Sequence, residues 1–268
     1  MTPMSWEDHP NVLPKEIYDQ GERGTCTYFA VCTALAAQYY IRTREIIKLS
    51  PESILYGVRQ EKCALQKIEP SSAVLKSDRA IIEREWPEYE ATILDALSYA
   101  ARYGVAMEHD WPYDVYGSPP SINNIDTLRV HDFEMLTTGR QIKKYIREYP
   151  LVCQIQCTQV FGDKYSDDKV YTKKIHFGSI PDGSSCHTMT LVGWGHKDSI
   201  PVWIVLNSWG ELWGHRGIGY VERVLDDDAE DLGILTAVGR ASILPRGLYP
   251  ASRRVPRLLG LPRDKYRH

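Results

Sequence analysis

Apolar positions fall into two textures along the chain. From Cys26 onward, Phe29, Ala30, Thr33, Ala34, Ala37 and Tyr40 recur on one helical face, which predicts a helix over 26–42 with Thr25 as its N-cap. "SPESILYGVRQ" reads as a second helix, capped by Ser50 and carrying Pro51 at its first position. A third lies in "YEATILDALSYAARYG", with Ile93, Leu94, Leu97, Ala100 and Ala101 as its apolar face and Gly104 as its stop. Residues 139–149 read as a fourth. Between the second and third, "CALQKIEPSSAVLKSDRAIIEREWPE" has weak periodicity and reads as a polar surface excursion holding a short helix.

After Pro150 the pattern changes. "LVCQIQC", "HTMTLVGW", "PVWIVLN" and "GIGYVERV" are β-rich runs punctuated by Gly, Pro and Asp. Helices first and strands second predict an α+β chain, with a cleft between a helical lobe and a β lobe. The run "DDDAEDLG" reads as a solvated acidic turn, and from Pro245 onward the chain is basic and rich in proline.

Composition narrows the function more than the fold. A chain of 268 residues with 43% hydrophobic and 25% charged positions is an ordinary globule, long enough for two lobes. A net charge of −3 gives no case for nucleic acid or an anionic membrane. No apolar run approaches a membrane span, and "MTPMSWEDHP" lacks the apolar stretch of a signal peptide. Six cysteines are too sparse for a disulfide scaffold and none forms a C-x-x-C pair, so reduced thiols in an intracellular setting are expected, with no metal or cofactor. Cys153 and Cys157 read as small core residues. Trp86, Trp111 and Trp203 read as packing residues, and His196 and His215 as solvated turn positions.

One cysteine is placed differently. Cys26 follows a glycine-bearing loop and opens a helix, where backbone N–H groups and the helix dipole favour a thiolate. A hairpin of "HTMTLVGW" and "PVWIVLN" centred on Lys197 sets His187 opposite Asn207, within reach of one hydrogen bond. A thiol, a base and an amide that orients the base form an activated nucleophile. Gln20 and the Cys26 backbone N–H are candidate donors to a developing oxyanion.

With "DQGERGTCTYFA", "LSPESIL", "AARYGVAMEHDWPY", "CHTMTLVGWG" and "WIVLNSWGELWGHRGIGYVE" in this order, the chain resembles the papain-like cysteine peptidases, the superfamily of papain, the cathepsins and bleomycin hydrolase. The resemblance implies a two-lobed fold with a β-barrel-like second lobe and the active site in the cleft. It assigns Cys26 as nucleophile, His187 as base, Asn207 as orienting residue, Gln20 as oxyanion donor and Trp209 as a shield over the His–Asn bond, with Trp213 at the family spacing. It implies an extension at 1–17, a peptidase domain at 18–245 (helical lobe about 18–120, β lobe about 121–245) and a basic tail at 246–268.

Departures from the family pattern bear on specificity. Thr27 replaces the usual aromatic after the nucleophile, and Arg23 replaces a disulfide cysteine. Glu90 and Ala91 stand where paired glycines usually bind substrate backbone. Cys186 precedes His187 as a wall residue, and Ala237 aligns with the floor of the main specificity pocket. The expected activity is hydrolysis of a peptide or protein substrate through an acyl-enzyme. A thiol acyl-transferase or isopeptidase on the same residues is the alternative, and a non-catalytic interaction domain is the third reading. The basic tail reads as a solvated extension, as a segment that folds back to restrict the cleft, or as a docking surface for an acidic partner.

Overall fold

The computed structural model describes residues 2–66, 91–113, 125–157, 161, 169–172, 185–230 and 232–243. Its helices are α1 (Cys26–Thr43), α2 (Pro51–Gln66), α3 (Ile93–Arg102) and α4 (Gly139–Tyr145). Its strands are β1 (Met4–Ser5), β2 (Val105–Ala106), β3 (Thr127–Leu128), β4 (Val130–Leu136) and β5 (Leu151–Cys157), followed by β6 (Val170–Tyr171), β7 (Ser185–Lys197), β8 (Ile200–Leu206), β9 (Ile218–Glu222) and β10 (Leu235–Ile243). The α+β architecture and its two lobes agree with the pattern in the sequence. The basic tail, Trp86, Glu90 and most of the polar excursion lie outside the described residues.

Helix α1 is covered on more than one side. Val31 and Leu35 enter a core shared with α2 and α3, while Ala37 joins the core of the β lobe. Thr25 occupies its N-cap position without making a cap bond. Its hydroxyl instead lies 2.8 Å from the Tyr113 hydroxyl, so a tertiary partner has displaced the expected local one. Helix α2 begins as expected, with Ser50 Oγ accepting from the Ser53 N–H at 3.1 Å. It continues to Gln66, so the first residues of the excursion are helical. Gly57 is required there, because a Cβ would sit 1.9 Å from the Tyr99 ring of α3.

Helix α3 starts with a capping box between Thr92 and Asp95 and ends at Arg102, with Gly104 at φ +83° just beyond its C-cap. Leu94 is half exposed, a correction to the expected apolar face. Ile93, Leu97 and Ala100 are buried as expected and are joined by Ala96 and Tyr99, because the packed stripe is centred on Ile93 and Leu97. Helix α4 ends at Tyr145, short of the predicted 149.

Among the described residues the main sheet has eight strands in the order β4-β10-β5-β7-β8-β9-β6, with β1 also pairing β7. Over these residues it runs between two different edge strands and does not form a closed barrel. One face of its β4, β10 and β5 portion packs on the helices, and the remainder encloses the second core. Gly193 of β7 lets β1 approach, since a Cβ there would lie 2.6 Å from the Met4 carbonyl oxygen. Trp6 then donates its indole N–H to the Ile146 carbonyl at 2.7 Å, tying the N-terminal segment to the end of α4. No helix among the described residues is long and apolar enough to cross a membrane.

The acidic run after β9 is more than a solvated turn. Asp227 accepts from Lys143 Nζ at 2.6 Å and from Arg223 at 3.1 Å, and both of these cations are buried. Lys143 Nζ also lies 4.4 Å from the Trp194 ring centroid, so the pair is partly covered by an aromatic face. Removing one partner of a buried pair leaves charge with no counterion, at a cost of about 3–5 kcal/mol. Asp227→Asn should therefore lower stability by about that amount in chemical denaturation. A loss below about 1 kcal/mol would mean that solvent already screens both cations.

Candidate active site

Two remote segments are laid beside the start of α1. Gln20 N–H donates to the Ser208 carbonyl at 2.9 Å and Gly210 N–H to the Tyr18 carbonyl at 2.9 Å. This short antiparallel contact carries Gln20 up to the turn after β8. The side chain is then held at both ends: Ser208 Oγ donates to Gln20 Oε1 at 2.7 Å, and Gln20 Nε2 donates to the Arg23 carbonyl at 2.8 Å. One of the two amide hydrogens is left for another acceptor.

The β7–β8 hairpin turns at Asp198 and Ser199, both at positive φ, rather than at Lys197. Its register is shifted from the expected one, and a bulge beyond Gly193 changes it again. His187 and Asn207 nevertheless meet, with His187 Nε2 lying 2.7 Å from Asn207 Oδ1. Asn207 Oδ1 also accepts from the Ser208 N–H at 2.8 Å, which fixes it as the oxygen and makes His187 Nε2 the protonated nitrogen. Nδ1 is then the basic nitrogen. Trp209 stacks on the imidazole at a centroid distance of 4.2 Å, and Trp213 packs edge-on to Trp209.

Cys26 is half-buried at the first position of α1. The next residue ties three elements together. Thr27 Oγ1 donates to the Ala91 carbonyl at 3.0 Å and lies 3.0 Å from Thr188 Oγ1 on β7. Further along the same pair, Thr190 Oγ1 donates to the Ala30 carbonyl at 3.3 Å. The helix bearing Cys26 is thus docked on the strand bearing His187.

Burial dominates the electrostatics. It raises the Cys26 thiol above its ordinary value, opposed by hydrogen bonds with Thr188 and Thr27. It lowers the His187 imidazole to about 4, only partly offset by the bond to Asn207. Both shifts favour the neutral form, thiol in one case and imidazole in the other. Cys32 and Cys153 are buried and pushed much further up, which marks them as inert core thiols.

Of the other candidates, Trp209 lies against the His–Asn pair and Ala91 is buried behind Thr27. Cys186 is exposed beside His187, opposite Gln156 of β5. Ala237 packs at the margin of the helical core. Trp111 and Trp203 are buried as expected, whereas His196 is exposed on β7 itself and not in a turn. Ser208, Thr188 and Tyr113 were missed by sequence reasoning. Ser208 had a signal in its place between Asn207 and Trp209, but Thr188 and Tyr113 acquire roles only through contacts distant in sequence.

Because the folded imidazole titrates near 4 and the ordinary value is 6.5, the unfolded chain binds the extra proton between these limits. Stability contributed by His187 is therefore complete above pH 6.5 and falls by up to about 1.4 kcal/mol per unit on acidification through the window. The melting temperature of the wild type should drop more steeply between pH 6.5 and 4 than that of His187→Gln. Parallel curves from calorimetry would show that His187 carries no linked proton.

Comparison with known proteins gives one consistent answer. The family model described as papain family cysteine protease matches residues 2–238. A cysteine protease of Blomia tropicalis is 24% identical over 217 residues, which are 77% of this chain and 57% of that protein. Fruit bromelain of Ananas comosus is 24% identical over 239 residues, 87% of this chain and 58% of that protein. The chain spans little more than half the length of these curated relatives. The solved structure of the bromelain protease from Ananas comosus in complex with the E64 inhibitor matches in fold with a TM-score of 0.64 at 17% identity. It covers 91% of this chain and 100% of that one. With the family model extending from the first strand into the last, the chain belongs to the papain family of cysteine proteases.

Proposed function

We propose that the chain hydrolyses peptide bonds with Cys26 as nucleophile, His187 as base, Asn207 as orienting residue and Gln20 as oxyanion donor. The observation that carries this reading is the 2.7 Å bond from His187 to Asn207, which leaves Nδ1 as the basic nitrogen in a buried ring. Family membership supports the reaction class, and the helix-start position of Cys26 supports the choice of thiol. Nδ1 takes the thiol proton as sulfur attacks the substrate carbonyl carbon. The free Nε2–H of Gln20 and the Cys26 backbone N–H receive the oxyanion. The imidazolium then protonates the departing amine, leaving a thioester. Water attacks it with Nδ1 as base, and the acid product leaves with the thiol restored.

The substrate is a peptide or protein chain. One lone pair of the Ala91 carbonyl is already engaged by Thr27, so this wall offers a substrate backbone less than a free glycine pair would. Acyl transfer to an amine uses the same residues and differs only in what attacks the thioester. Mass spectrometry of products formed with and without an added amine separates the two.

Cys26→Ala should abolish turnover while the melting temperature stays close to that of the wild type. Persistent peptide cleavage in that variant would reject the assigned nucleophile. Gln20→Ala should lower kcat by about 10²- to 10³-fold with a smaller change in KM. A rise in KM alone would make Gln20 a ground-state binding residue.

A further inference from the structure

We infer that the Arg23–Glu52 ion pair, braced by Tyr113, positions the Gln20 amide for the oxyanion. This rests on the reading of Gln20 given above. Resemblance places a disulfide cysteine at position 23, and an ionic fork stands there instead. Arg23 Nη1 lies 2.8 Å from Glu52 Oε2, and Nη2 lies 3.2 Å from Oε1. The two side chains are only 11% and 9% exposed, so the pair is poorly screened by solvent. Glu52 sits in the first turn of α2, where the helix dipole also favours its charge.

The same residue holds the amide. The Arg23 backbone carbonyl accepts from Gln20 Nε2 at 2.8 Å and from the Thr25 N–H at 2.8 Å. Tyr113 closes the loop from the other side. Its hydroxyl donates to the Gln20 carbonyl at 2.9 Å and meets Thr25 Oγ1 at 2.8 Å, while its ring lies 4.8 Å from the Arg23 guanidinium carbon. Tyr113 is itself fixed by a bond from its N–H to Glu108 and by edge-on packing with Phe29. The direction of the remaining Gln20 N–H therefore follows the position of the Arg23 backbone. The planar fork holds that backbone in both translation and rotation, which a point charge does not.

A shift of the amide affects the transition state more than substrate binding, so the expected signature lies in kcat. Arg23→Gln should lower kcat by about 10- to 100-fold, with KM within about twofold of the wild type. Arg23→Met/Glu52→Met removes both charges, avoids an unpaired buried charge, and should show the same kinetic loss. Arg23→Lys should restore part of the rate. In a Gln20→Ala background, Arg23→Gln should change kcat by less than about twofold, because the residue through which it acts is gone. Wild-type kcat in the doubly neutral variant, or a loss that multiplies with that of Gln20→Ala, would overturn the inference. If Gln20→Ala is itself without effect on kcat, the oxyanion reading fails and this inference fails with it. If Gln20→Ala is costly and the Arg23 variants are not, the inference alone fails.

Discussion

The hydroxyls of Thr27 and Thr188 lie 3.0 Å apart, one on α1 and the other on β7, and the site depends on the docking they mark. Cys26 belongs to the helical lobe and His187 to the β lobe, so neither lobe holds the candidate chemistry alone. Thr190 and Ala30 repeat the contact further along the helix, and the Ala91 carbonyl anchors Thr27 from a third element. Buried hydroxyls of this kind are costly unless paired, so their mutual satisfaction selects one relative position of helix and strand.

That docking also sets the electrostatic character of the site. Enclosing His187 between β5, β8 and the Trp209 indole strips it of water, and this lowers its affinity for a proton. Cys26 experiences the same desolvation in the opposite sense. Charging either group in this enclosed setting therefore carries a desolvation cost. The Gln20 amide is held in one position by Ser208 Oγ and by the Arg23 carbonyl.

Charge is used structurally at two other places, by the same rule. Arg23, in the loop before Cys26, and Glu52 form a buried fork, and Lys143, Arg223 and Asp227 form a cluster beneath Trp194. In each case an ion that looks like surface composition is covered and paired. The acidic run after β9 therefore anchors α4 as well as carrying exposed charge.

Much of the site was legible in the chain. Helical spacing after Cys26, the strand runs after Pro150 and the block around Asn207 were enough to place Cys26 at a helix start, His187 on a strand and Asn207 at the end of the neighbouring strand. These features are local, and local backbone preference and side-chain alternation carry them. The hairpin register was read wrongly, yet His187 and Asn207 still meet, because side chains at an open hairpin end reach across a small slip. Tertiary structure alone decided that Thr25 bonds Tyr113 instead of capping its helix, that Leu94 faces solvent, and that Asp227 is enclosed by two cations. It also made Arg23, a charged residue with no readable role in the sequence, the partner of Glu52 and the support of Gln20. Each of these depends on which surface covers a residue, and that is set by packing between segments far apart in the chain, which no local periodicity records.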